Sequence, residues 1–289
     1  MKLVLVHGRN QQGKDAAELK KQWVAALTKG LANQGLSLPA GLEIEFPYYG
    51  NRLGDFAAQA EIPLSEEIMA KGGNQVDQDY LDFRAEVVEA LRQRADLTQA
   101  QIEEEYGDDP REKGPQNWAW TQAILRALDR HVPGMSQATV DRFTRDVFLY
   151  ISRMGVRDEI DRIVGAALGP GPTVVVSHSL GTVVSYSLLR RNPALQVPFF
   201  VTLGSPLGVR AIRNELRPLK YPQPPVTAWY NAYDERDFIA LYPLDGVHFP
   251  VEPAIENNNS LHNDPADPHS IVGYLRDATV ARRIYEALI

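Results

Sequence analysis

The segment Val174-Val175-Val176-Ser177-His178-Ser179-Leu180-Gly181-Thr182-Val183-Val184 limits the possible folds of this chain more than any other. Its unbroken apolar run reads as a strand buried on both faces of a parallel sheet, because a half-exposed strand would alternate with polar residues. Leu180 to Arg191 then reads as a helix, stopped by Asn192-Pro193. Where a buried strand passes straight into a helix, the residue at the turn takes a strained backbone conformation. The positions two before and two after it must then be small. Here they are Ser177 and Gly181, with Ser179 at the apex. A helix starting near Leu180 aims unpaired N–H groups and its positive dipole end at whatever reacts there. The Leu180 amide is therefore a candidate donor to an oxyanion. The alternative is a serine that merely follows a core strand and caps a helix.

The flanking sequence supplies more of the same architecture. Leu3 to Val6 is another short apolar run, ending in His7-Gly8. Asp15 to Leu31 places Ala16, Leu19, Trp23, Ala26 and Leu27 near helical spacing, and Leu42 to Tyr49 alternates into a second strand. Strand, helix, strand in that order suggests a βαβ unit. From about Asn51 to Gln137 the chain is polar and helix-prone. Helical spacing runs over Tyr80–Leu97 and Trp118–Val132, and Gly72-Gly73 and Gly107–Gly114 read as loops. This stretch, 51–137, reads as a helical lid inserted over a sheet domain; the alternative is a further part of the core's own helical layer. Val140 to Leu168 follows as a long helical pattern with a break near Gly155. Thr173–Ser177, Phe199–Leu203 and Val226–Tyr233 are strands, and Ala278–Leu288 is a final helix. The expectation is one α/β domain over residues 1–289, built on a doubly wound, mostly parallel sheet.

Composition narrows the function. A formal net charge of -7 argues against a non-specific nucleic-acid binder, which needs concentrated Lys and Arg. With no cysteine in the chain, disulfides, thiolate metal sites and a cysteine nucleophile are excluded. No stretch approaches the roughly 18 to 20 apolar residues of a membrane span, so no integral membrane segment is expected. The apolar run at the N-terminus is too short for a signal peptide, and a soluble cytoplasmic protein is the default.

The strand–Ser-His-Ser-Leu-Gly–helix arrangement resembles the α/β-hydrolase superfamily, and within it the lipase-like and esterase-like branch. The resemblance covers roughly residues 1–50 and 140–289. Gly181 fits the family's G-x-S-x-G elbow; Ser177 departs from it but is small. The resemblance implies a serine hydrolase with Ser179 as nucleophile, acting on a small-molecule or acyl-ester substrate. A serine hydroxyl needs a base in reach and a third group to orient that base, and the family order is serine, acid, histidine. Three histidines lie downstream: His248, His262 and His269. The setting of His269, a polar loop before an apolar segment near the C-terminus, is similar to the family's histidine loop. For the acid, Asp237 in Asp237-Phe238-Ile239 matches the family pattern past a strand. Asp234 is its rival and Asp245 a more distant one. His7-Gly8-Arg9 is similar to the family's His-Gly element, which implies a second oxyanion donor at the amide of Arg9 or Asn10 and a structural His7. Gly204-Ser205-Pro206-Leu207-Gly208 resembles a loop that lines the pocket, although a simple turn fits it too. No cofactor and no metal are required.

Three other functions compete. Gly8-Arg9-Asn10-Gln11-Gln12-Gly13-Lys14-Asp15 has P-loop spacing after a strand, but Asp15 stands where a Ser or Thr should ligate Mg²⁺. Asp15 also suits a helix N-cap. A peptidase or amidase would use the same three side chains, and a catalytically silent hydrolase-fold binding module is the remaining reading. The sequence leaves the oligomeric state open.

Overall fold

Alternate residues of a strand face opposite sides of a sheet, and here both sides are apolar. Leu3, Leu5, Val174, Val176, Phe199 and Val201 enter one hydrophobic cluster; Val4, Val6, Val175 and Phe200 enter the other. This double burial is why the strands read as unbroken runs rather than as alternation. The computed structural model describes residues 1–60, 75–107, 118–132 and 135–289, with side chains at 75–77 left aside. Its strands are β1 (Lys2–Val6), β2 (Glu43–Glu45), β3 (Thr173–His178), β4 (Val197–Leu203), β5 (Val226–Ala232) and β6 (Glu256–Asn258). They form a single sheet in the order β2-β1-β3-β4-β5-β6, with every neighbouring pair parallel.

Helix α1 (Ala16–Ala32) packs on one face together with α10 (Ile271–Arg276) and α11 (Ala278–Glu286). The other face carries α2 (Gly50–Gln59), α3 (Gln75–Arg94), α4 (Gln99–Tyr106), α5 (Trp118–His131), α6 (Gln137–Ser152), α7 (Met154–Leu168), α8 (Leu180–Arg191) and α9 (Arg210–Glu215). Asp15 N-caps α1, its carboxylate accepting from the Glu18 amide at 2.8 Å. The break expected near Gly155 falls at Arg153, whose extended backbone ends α6 and begins α7. Side chains of α3 to α7 share one hydrophobic cluster with the sheet residues Val4, Val175 and Phe200. The Gly72-Gly73 turn and most of the Gly107–Gly114 loop lie outside the described residues.

Two strand boundaries differ from expectation. β2 keeps only Glu43–Glu45 of the strand expected over 42–49. Pro47 has no amide to donate to a ladder, and the aromatic residues after it fold back onto His7. β6 is a three-residue polar edge strand, Glu256-Asn257-Asn258, with no apolar run to signal it. Among the described residues, no helix is long and apolar enough to cross a membrane.

The strand order fixes where a ligand would bind. From β1 the chain moves outward to β2, then crosses back to β3 on the other side of β1, so the winding reverses between β1 and β3. In open parallel sheets the crevice at such a reversal, beyond the carboxyl ends of the strands, is the usual binding place. Here those ends are His7-Gly8 and His178-Ser179.

Candidate active site

Ser179 leaves β3 at φ 54°, ψ -129°, a left-handed conformation that only a tightly constrained turn imposes on a residue with a side chain. Its neighbours explain how the turn is tolerated. A Cβ at Gly181 would lie 2.5 Å from the His7 carbonyl oxygen and 2.6 Å from that of Val6. Only glycine lets α8 start this close to β1. Ser177, in the position that favours the smallest residue, is buried with its hydroxyl 2.7 Å from that of Ser185, so the extra oxygen has a partner. Ser179 makes no side-chain bond to α8, which removes the helix-capping alternative. The helix is anchored instead by Thr182, whose hydroxyl donates to the Ser179 carbonyl at 2.7 Å.

The loop after β1 passes directly over this serine. A Cβ on Gly8 would come within 2.6 Å of Ser179 Cβ and 3.2 Å of its Oγ. Leu180 is the first residue of α8, where amides have no partner inside the helix. Arg9 is the residue after Gly8 in the loop that passes over the serine.

The Asp237 carboxylate is buried at the end of the turn after β5. Oδ1 accepts from the Ile239 amide at 2.8 Å. Oδ2 accepts from His269 Nδ1–H at 2.7 Å and from the Tyr274 hydroxyl at 2.7 Å. Since a carboxylate can only accept, Nδ1 carries the proton in neutral His269 and Nε2 presents a lone pair. His178 braces the same loop, its Nε2–H donating to the His269 carbonyl at 2.9 Å while the two rings lie 4.5 Å apart. Ser179 Oγ and His269 Nε2 are both buried without a hydrogen-bond partner. Gly204, at φ 56°, closes the floor: a Cβ there would stand 3.0 Å from Asp237 Oδ2 and 3.1 Å from His269 Nδ1. The Gly204–Gly208 loop thus starts beneath the Asp237–His269 pair and ends against Tyr242 and Pro243. It is the following residue, Val209, that reaches the cavity.

That cavity, about 230 Å³, opens beside His269 and Asp237. Its walls are largely apolar: Val87 and Leu91 of α3, Val140 and Phe143 of α6, and Phe238 and Leu241 after β5. Arg9 also lines it.

The competing side chains occupy other roles. Asp234 accepts a two-pronged contact from Arg236 (3.1 and 2.8 Å) and the amide of Asn263 at 2.6 Å, a staple between two loops. Asp245 bonds His248 at 2.9 Å, and that ring stacks on Tyr242 at 4.7 Å, away from Ser179. His262 is exposed. In the segment with P-loop spacing, the Gly13 amide is taken by Asn51 Oδ1 at 2.8 Å, and Asp15 is the α1 cap rather than a metal ligand. Among the described residues, no group of acidic and histidine side chains is arranged to hold a metal ion.

His7 is buried and fully used: Nδ1–H donates to the Gly8 carbonyl at 2.7 Å, and Nε2 accepts from the Tyr49 amide at 3.0 Å. Burial lowers its pKa from the ordinary 6.5 to about 4, and burial together with neighbouring His269 holds His178 well below its ordinary value too. A histidine with a depressed folded-state pKa destabilises the fold as pH falls, because the unfolded chain takes up the proton first. For His7 the loss begins near pH 6.5, ends near pH 4, and totals on the order of 3 kcal/mol. Urea unfolding at pH 7 and at pH 5 should show the larger part of this fall in wild type. A smaller fall is expected in His7→Asn, which preserves hydrogen bonding without a titratable ring; an equal fall would rule out His7 as the source.

Tyr274 and His178 could not be assigned from sequence: Tyr274 is one polar-capable residue inside an apolar segment, and His178 is one of three polar residues at the turn. Comparison with protein-family models, with curated proteins and with solved structures finds no match for this chain.

Proposed function

We propose that this protein is a serine hydrolase of the α/β-hydrolase type that cleaves carboxylic esters. One observation carries the reading. A buried serine at positive φ, at a strand-to-helix turn, has a free hydroxyl in the same site as the free Nε2 of a histidine whose Nδ1–H is bonded to a buried carboxylate. A buried polar atom left open usually has a functional reason, and here there are two together.

In this reading Ser179 Oγ attacks the ester carbonyl while its proton passes to His269 Nε2. The bond from the carbonyl carbon to the alcohol oxygen breaks, and His269 returns the proton to the departing alcohol. Water then attacks the acyl-serine, again giving its proton to His269, and Ser179 leaves with that proton. Asp237 keeps the imidazole in the tautomer with Nε2 unprotonated and stabilises the imidazolium in between. The amides of Leu180 and Arg9 face the developing oxyanion, a contribution of roughly 3 kcal/mol each where such donors have been deleted. The helices over this face, with Val87 and Leu91 inside the 51–137 insertion, act as a lid whose apolar side receives the acyl chain.

Release of p-nitrophenolate from a p-nitrophenyl acyl ester is expected to begin with a burst equal to the enzyme concentration, because acylation by so activated an ester outpaces deacylation. The matching p-nitroanilide should react far more slowly. Faster reaction of the anilide would make the protein an amidase instead.

A further inference from the structure

Arg9 stands out on the cavity wall as a largely buried cation, its side chain 13% exposed, with unused hydrogen-bonding capacity at Nε. Its nearest acid is Asp146, 3.6 Å from Nε and beyond hydrogen-bonding distance, and Nε is buried without a partner. No hydrogen bond from its guanidinium to any described residue is present. Asp146 is itself shared with Arg145, at 3.5 Å, so one carboxylate serves two arginines. The other charged side chains on the cavity wall are differently placed. Arg236 is held by Asp234 and the Asn263 carbonyl and is 43% exposed, Asp237 accepts from four donors counting the more distant Ala240 amide, and Asp267 is exposed to solvent. The position of Arg9 is equally telling. It follows Gly8, whose Cα lies against Ser179, and it lines a cavity whose wall also holds His269 and Asp237.

A guanidinium inside an apolar wall disfavours a purely hydrocarbon occupant, because its own hydration is lost without replacement. A planar carboxylate supplies what is missing: two acceptors matched to the guanidinium fork and a charge to balance it. We infer that Arg9 binds an anion in this site, and that the preferred ester carries a free carboxylate at the far end of its acyl chain. The inference rests on the serine-hydrolase reading and names the substrate class for it. Apolar side chains such as Leu91, Val140 and Phe143 then hold the methylenes between the two ends.

The test compares two esters that differ only in charge: the half p-nitrophenyl ester of suberic acid, and the same compound with its free carboxyl methylated. The chain is long enough that the free carboxylate does not displace nitrophenol by itself. Wild type should favour the anionic ester in kcat/KM by about 10- to 100-fold, the range of a charge-assisted hydrogen-bond pair. Arg9→Met should abolish the preference, and Arg9→Lys, which keeps the charge without the fork, should retain part of it. Equal kcat/KM for the two esters in wild type overturns the inference, and that comparison needs no variant. A preference that survives in folded Arg9→Met removes Arg9 from the role. Failure to cleave either ester, with no covalent labelling of Ser179, overturns the serine-hydrolase reading and the inference with it. Labelling with equal cleavage of both esters overturns the anion preference alone.

Discussion

Ser179→Ala is expected to lower kcat for ester hydrolysis by about 10⁶-fold, the scale seen when a serine nucleophile is removed from such a triad. The folded state should be almost unaffected. Ser179 Oγ has no hydrogen-bond partner to lose, and alanine meets the same positive φ with the same Cβ. A change in unfolding free energy within about 0.5 kcal/mol is therefore expected. The two readouts together separate function from structure. A serine that served to cap α8 would give the opposite pattern, about 1 kcal/mol of lost stability and no loss of turnover. Steady-state kinetics and urea unfolding on the same preparation read both. Unchanged kcat would exclude Ser179 as nucleophile.

The second large effect is expected at Asp237. Asp237→Asn should reduce kcat about 10⁴-fold, because an amide can donate to His269 Nδ1 and stabilise the tautomer with Nε2 protonated. Tyr274→Phe removes one of the donors to the same carboxylate oxygen and should cost much less. Asp234→Asn provides the contrast. Its carboxylate holds Arg236 and the Asn263 amide, so its loss should lower the unfolding midpoint before it lowers kcat on folded protein. If Asp234→Asn proved the more damaging to turnover and Asp237→Asn the milder, the acid would have to be reassigned.

How far the sequence could be read depended on the kind of signal each element carries. β1, β3 and β4 are buried on both faces and showed as largely apolar runs; β5 carries Thr227 and Asn231 with two exposed positions and showed as a strand by its β-prone residues, while β6 is three polar residues at an edge and showed nothing. The turn at Ser179 was legible because strand, small residues and helix are contiguous in sequence. Asp237 and His269 could be named through the family resemblance of their settings, but their pairing spans 32 residues and is visible only in three dimensions. The preference for Asp237 over Asp234 comes from the family pattern and not from any contact readable in the sequence. Both follow β5 within a few residues, and what separates them is that one faces His269 while the other faces Arg236 and Asn263. Gly204 looked like part of a pocket-lining turn. Its actual requirement, room for Asp237 and His269 against its Cα, depends on loops far along the chain. The Arg9 side chain gave no sequence signal at all, since burial against α6 and a shared Asp146 are tertiary facts.

The most direct test of the central claim is treatment of the wild-type protein with a fluorophosphonate, followed by intact mass and peptide mapping, with Ser179→Ala as the blank. The account predicts one adduct per chain, mapped to Ser179 and missing from the variant. No adduct under conditions that label a known esterase, or an adduct that persists in Ser179→Ala, would contradict it.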